Sequence, residues 1–413
     1  MAKERQSKLF LYFLPVYYVY NILIDVVFTR GSDAGILLNI VILAMLVYFS
    51  LMNFYNKKFW YIFAWITFNI LLIICNSSKV IFSFTWFAKN IIGLLCFPLS
   101  FYFISSNKQI IRFFKVLMAI MLLYLLNLAL ANTLGWGNAY GGTDSEFAVQ
   151  GGASLVTGSM SVVMALMMAP VILFTIPKKN GFTILWSITV VCVFLIFKRT
   201  NIAALIIGYF IYIIAVKFYK RKANLNKQGK KRQAQLFLGI IVVVSLIMIF
   251  GETIAAQFDM RSRKFEEDAI AKEGRIIEWE LVNKAIFESG KSSIMLFGKE
   301  PYNTPNNYGF QTDRNIHGDY SLILFSTGVI GSFLYWSMQL YIALLVFKYN
   351  GRRYLSTQQD IMLFVTYLST SAIWFLFSFS ATLSYVVLSS LYYMTHGMIL
   401  RYFWNKHRKQ EEY

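Results

Sequence analysis

Long apolar runs separated by short polar segments dominate the chain. The runs lie at 9–28, 34–53, 59–76, 80–104, 110–131, 154–177, 182–197, 201–216, 236–252, 319–347, 361–380 and 384–404. All but one are 16 to 25 residues long, which as helix crosses or nearly crosses a hydrocarbon core of about 30 Å. The pattern predicts an all-α integral membrane protein with about 12 transmembrane helices. The exception, 319–347, would be about 44 Å as one straight helix, too long for a simple span. Gly328 and Gly331 are where it is expected to kink, unless its first turns project into a cavity.

One segment breaks the pattern. Residues 254–317 carry 9 Lys and Arg against 10 Asp and Glu, interleaved with Phe265, Ile270, Ile276, Trp279, Val282 and Ile286. Apolar positions three and four apart predict one or two amphipathic helices over 262–289, with Gly290 as the stop. A turn-rich piece, FGKEPYNTPNNYGFQTDRNIHGD, leads back to the membrane. A loop this long is functional or disordered. Its helical pattern and Trp279, Phe287 and Phe297 predict an ordered lid or binding element. Three regions result: 1–253 with helices one to nine, the large loop 254–317, and 318–413 with the last three helices and a basic tail.

Composition agrees with the membrane reading: 57% of residues are hydrophobic, only 14% are charged, and mean hydropathy is +0.55. The net charge of +19 raises nucleic-acid binding as a function. Its placement excludes that. The cations recur in alternate inter-run segments, densest in KFYKRKANLNKQGKKRQ (217–233), while the short loops between hold few. This is the positive-inside asymmetry, and it predicts both termini in the cytoplasm with 254–317 outside. The basic run itself reads as an orientation determinant and a contact for anionic lipid. Cys75, Cys96 and Cys192 lie inside apolar runs without metal-ligand spacing. The first run follows MAKERQSK and ends without a small-residue cleavage pattern, so a retained helix is expected.

Candidate chemistry concentrates at the outer side. Lys198-Arg199-Thr200-Asn201 separates two runs of 16 residues, each about 24 Å as helix, so the turn is expected in a recess below the outer surface. Two cations at the positive end of the following helix call for an anion, such as a phosphate. The plainer alternative is a pair of side chains snorkelling to the headgroups. Lys89 lies in the fourth run, either as a functional intramembrane cation or as the start of the span. Arg275, in GRIIEW, would ordinarily form a surface ion pair, with Glu278 or Glu280 as partner. His317 and Asp319, two apart in NIHGDY, can hold a sugar hydroxyl or accept its proton. The Gly-rich stretch 132–154 reads as a connector or as backbone that approaches a ligand closely.

Taken together, FKRTNIAALIIG (197–208), GRIIEWELVNKAIF with LFG (274–298) and NIHGDYSLILFSTGVIGSFLYW (315–336) resemble the O-antigen polymerase and ligase superfamily of bacterial polysaccharide assembly. The likeness extends over the topology, with a large outer loop before the last three helices. It implies a GT-C-like polymerase/ligase architecture in the bacterial cytoplasmic (inner) membrane, with no metal and no cofactor. It further implies a polymerase of O-antigen, capsule or exopolysaccharide that uses undecaprenyl-diphosphate-linked oligosaccharide and membrane lipid. A flippase and a chain-length regulator are its implied partners. Arg199 and Arg275, helped by Lys198 and Lys89, would hold the diphosphate, and His317 with Asp319 would act on the acceptor hydroxyl. Preorganised arginine forks can stabilise a leaving diphosphate in place of Mg²⁺.

Two other functions compete. A ligase would move finished glycan onto lipid A-core, but the ending His-Gly-Asp-Tyr without a second histidine resembles polymerases more. A lipid-linked oligosaccharide flippase would be of similar size, yet the chain shows no internal symmetry of the kind many transporters have.

Overall fold

The computed structural model describes residues 56–104, 274–309, 315–349, 357–380 and 386–411, with scattered positions elsewhere. Seven helices are ordered along this part: α1 Trp60–Asn76, α2 Val80–Phe103, α3 Gly274–Phe287, α4 Ser292–Phe297, α5 Asp319–Tyr349, α6 Gln358–Phe377 and α7 Val386–Glu411. Four stretches are long and apolar enough to cross a membrane: 57–76, 80–103, 319–349 and 359–377. They mark the chain as an integral membrane protein. The expected spans 9–28, 34–53, 110–131, 154–177, 182–197, 201–216 and 236–252 lie outside the described residues, apart from isolated helical positions. Within the Gly-rich stretch, Ala139–Tyr140 pairs antiparallel with Val149–Gln150.

Helix α7 is less apolar than the four because it runs on into the basic end 401–411, and its stretch 388–400 is buried all round. Ser389, Ser390, Thr395 and His396 are each at most 1% exposed along it. Its close approach to α2 depends on small residues. A Cβ at Gly93 would collide with Ser389, and one at Gly397 with Ser100 and the Phe97 carbonyl. Such contacts bring membrane helices together where no hydrophobic drive separates helix from lipid.

Helix ends sort into two groups. At one end Lys58 lies 3.6 Å over Trp404, Tyr349 packs 4.7 Å from Trp404, and Lys406 pairs with Asp360 at 2.6 Å. Asp360 also closes a capping box with Thr357 and accepts from the Tyr402 hydroxyl at 2.9 Å. At the other end the Glu300 carboxylate accepts from Ser78 N at 2.8 Å and Ser78 Oγ at 2.9 Å, tying the large loop to the α1–α2 turn. The cations of Lys57, Lys58, Lys348 and Lys406 thus share the end away from the loop.

The long helix α5 breaks at Gly328, where φ is +62° and ψ is −164°. Of the two glycines expected to kink it, only Gly328 does so. The break is filled by loop backbone. A Cβ on Gly328 would lie 2.5 Å from Gly298 N and from the Leu296 carbonyl carbon, while one on Gly298 would lie 2.6 Å from the Ser326 carbonyl carbon. The freed Phe325 carbonyl accepts from Lys299 N at 3.0 Å, and Ser326 Oγ accepts from Tyr302 N at 3.1 Å. Loop residues therefore satisfy the backbone and side-chain groups at the interrupted helix.

Beyond that point the loop enters the bundle. The Tyr302 ring sits 5.2 Å from Phe87, in the aromatic core with Trp65 and Tyr335. Its hydroxyl donates to Asn69 Oδ1 at 2.8 Å, and the same amide donates to the Trp65 carbonyl at 2.7 Å. Burial pushes the Tyr302 phenol well above its ordinary range.

Candidate functional site

Helix α3 presents one buried stripe. Glu278, Val282 and Ile286 recur one turn apart, and each is at most 1% exposed. The two apolar residues join Tyr308, Ile316, Leu322 and Phe325 in a small second core between the loop and the first half of α5. Val282 and Ile286 of the expected apolar face are thus buried, and the other two described positions are not. Ile276 and Trp279 are exposed, because the stripe running through Glu278 is the one laid against α5. The helix ends at Phe287, and Gly290 follows with φ +68°, as the sequence predicts. The preceding part, 262–273, lies outside the described residues.

Glu278 carries a charge into this packed interface, and its position explains why. Its Oε1 accepts from His317 N and from Gly318 N, both at 3.0 Å. These amides lead into the first turn of α5, where Leu322 N donates to the Gly318 carbonyl at 2.8 Å. The leading N–H groups of a helix lack partners within it, and the helix dipole favours an anion there. Glu278 thereby fixes the backbone of the His-Gly-Asp segment from 39 residues away in sequence.

His317 is oriented by the same turn. Its Nδ1 lies 2.6 Å from the Asn315 carbonyl oxygen. A carbonyl only accepts, so Nδ1 carries the proton and Nε2 of the neutral ring holds the lone pair. The side chain is 49% exposed, and Glu278 Oε2 stands 3.9 Å from Nδ1. Thr304 braces the turn: its hydroxyl accepts from Ile316 N at 3.2 Å and donates to Asn315 Oδ1 at 3.3 Å.

The other predicted residues fall into three positions. Arg275 is half-exposed, one turn before Glu278 on α3. The Glu278 carboxylate is turned to the His317 and Gly318 amides. Asp319 is fully buried, with its charge close to Tyr320, Tyr335 and Tyr393, whereas His317 is open to solvent. The pair therefore does not present a joint face. Lys89 stands nine residues, about 14 Å, inside α2, with its ammonium 4.3 Å over the Trp86 ring. The helix already begins at Val80, so Lys89 does not open it. Lys198 and Arg199 lie outside the described residues.

Sequence reading missed Glu278 as more than an ion-pair partner, and it missed Asn90. The i, i+4, i+8 spacing of Glu278, Val282 and Ile286 is the one signal that could have found the first. Among the described residues, no three His, Cys, Asp or Glu side chains cluster as metal ligands. The arrangement offers an imidazole held at Nδ1 by the Asn315 carbonyl, on a turn braced by Glu278 and Thr304. No protein-family model matches the chain, and no curated protein matches it.

Proposed function

We propose that the protein is a membrane glycosyltransferase, a polysaccharide polymerase working at the extracytoplasmic face of a bacterial cytoplasmic membrane. It transfers a glycan from an undecaprenyl-diphosphate donor to a hydroxyl of a lipid-linked repeat unit. The observation that carries this reading is the His317 turn, with Nε2 left as the lone-pair nitrogen by the Nδ1–Asn315 contact. The positive-inside pattern puts this turn outside, with both termini in the cytoplasm.

In the reaction, the acceptor hydroxyl gives its proton to His317 Nε2 as its oxygen bonds to the anomeric carbon. The bond from that carbon to the phosphate oxygen breaks, and undecaprenyl diphosphate leaves with the electron pair. Arg275 and Arg199 meet the charge that develops on the diphosphate. Glu278 is a positioning residue that holds the His317 and Gly318 backbone, while the Asn315 carbonyl orients the ring.

Purified protein given lipid-linked repeat units tests this directly. Products of two or more repeats support a polymerase. Transbilayer movement without bond formation supports a flippase, and transfer only to lipid A-core supports a ligase.

A further inference from the structure

Beneath the His317 turn lies a pocket lined by Trp86, Asn90, Tyr302, Thr304, Asn315 and Ile316. It is small, about 10 Å³, room for about one water molecule or one hydroxyl. Asn90 is 1% exposed, yet among the described residues neither its amide nitrogen nor its amide oxygen has a hydrogen-bond partner. A buried amide left so is destabilising, so an occupant that supplies both a donor and an acceptor is favoured there. A hydroxyl does both. The pocket wall adds aromatic surface at Trp86, which is half-exposed, and polar groups at Thr304 and Asn315, whose neighbour but one is His317.

We infer that this pocket is a carbohydrate subsite, in which Asn90 receives one hydroxyl of a lipid-linked sugar whose ring rests on Trp86. Flat aromatic surface takes the apolar C–H face of a sugar ring, while the amide reads one hydroxyl. The Lys89 ammonium stands 4.3 Å over one face of Trp86, which leaves the other face of the ring for the sugar. The inference rests on the proposed transferase reading and adds to it the residues that select the sugar.

The experiment measures binding of two lipids to the full chain in nanodiscs: undecaprenyl diphosphate, and lipid-linked oligosaccharide purified from the host's own membranes. The chain binds the glycosylated lipid more tightly, and Asn90→Ala and Asn90→Leu each lose that preference by about tenfold, with undecaprenyl diphosphate bound as before. Thermal unfolding supplies the second readout. Removing an unpartnered amide leaves Tm unchanged or raised, whereas an Asn90 that only holds a structural water gives a lower Tm. Unaltered preference in both variants, equal weakening for both lipids, or a lower Tm with preference intact overturns the subsite. Failure of the unaltered chain to bind either lipid overturns the transferase reading as well.

Discussion

Glu278 and His317 meet across 39 residues of sequence, the buried carboxylate accepting the histidine's backbone N–H at 3.0 Å. The same oxygen takes the Gly318 N–H, so one side chain holds the turn that leads into α5. Glu278→Ala leaves two amides without their acceptor at a buried site, at a cost of about 2–3 kcal/mol. The variant should show a lower Tm and faster proteolysis within 299–318. Glu278→Gln keeps an acceptor oxygen but not the charge. It should retain most stability while transferase activity falls more than tenfold, because the His317 turn is held by a neutral amide in place of the carboxylate.

Gly298 and Gly328 give a steric prediction. Each has positive φ, and each faces backbone of the other's segment at 2.5–2.7 Å from where a Cβ would sit. Gly328→Ala and Gly298→Ala combine left-handed strain with a backbone clash, and each should lower stability by at least about 2–3 kcal/mol. Gly290→Ala makes a useful comparison. Its φ is +68° but nothing lies within 4 Å, so only conformational strain of about 1 kcal/mol applies. Thermal unfolding in detergent should rank the three accordingly.

Tyr302 links stability to alkaline pH. Its folded-state pKa is raised by burial, so above the ordinary tyrosine value the native chain keeps a proton that the unfolded chain has lost. The contribution is complete below about pH 10 and declines as pH rises beyond it. Tyr302→Phe should cost about 1–2 kcal/mol at pH 8, since Asn69 Oδ1 loses its donor. The variant should then lose less than the unaltered chain between pH 8 and pH 10.5, as read by unfolding at both values.

How much of this was legible beforehand depends on the range of the interactions. The apolar runs at 59–76, 80–104, 319–347 and 361–380 announced their helices because lipid imposes one length and one polarity. The excess length of α5 announced a break, but not at which glycine. Contact with Gly298, 30 residues earlier, made that choice. Glu278 was one of ten acids in a mixed-charge segment, and only its tertiary partners distinguish it from Glu280, which is exposed on the same helix. Asn90 sat unremarked beside Lys89, since the pocket it faces is built by residues from a loop some two hundred positions away. His317 was legible as a candidate, while its tautomer required the Asn315 carbonyl.

The central claim is that His317 and Arg275 serve bond formation on a lipid-linked glycan. Their roles separate in single-turnover kinetics. Arg275→Ala should slow transfer by about a hundredfold by removing a charge-assisted contact to the leaving group. His317→Gln should abolish the rise of rate with pH that an imidazole base confers.

The most direct measurement is elongation of lipid-linked repeat units by purified protein in liposomes, comparing the unaltered chain with His317→Ala and Arg275→Ala at equal folded amounts. The account predicts a ladder of two or more repeats from the unaltered chain, and single repeats alone from both variants. Ladders of normal length from both variants, or no bond formation by the unaltered chain while lipid crosses the bilayer, would contradict it.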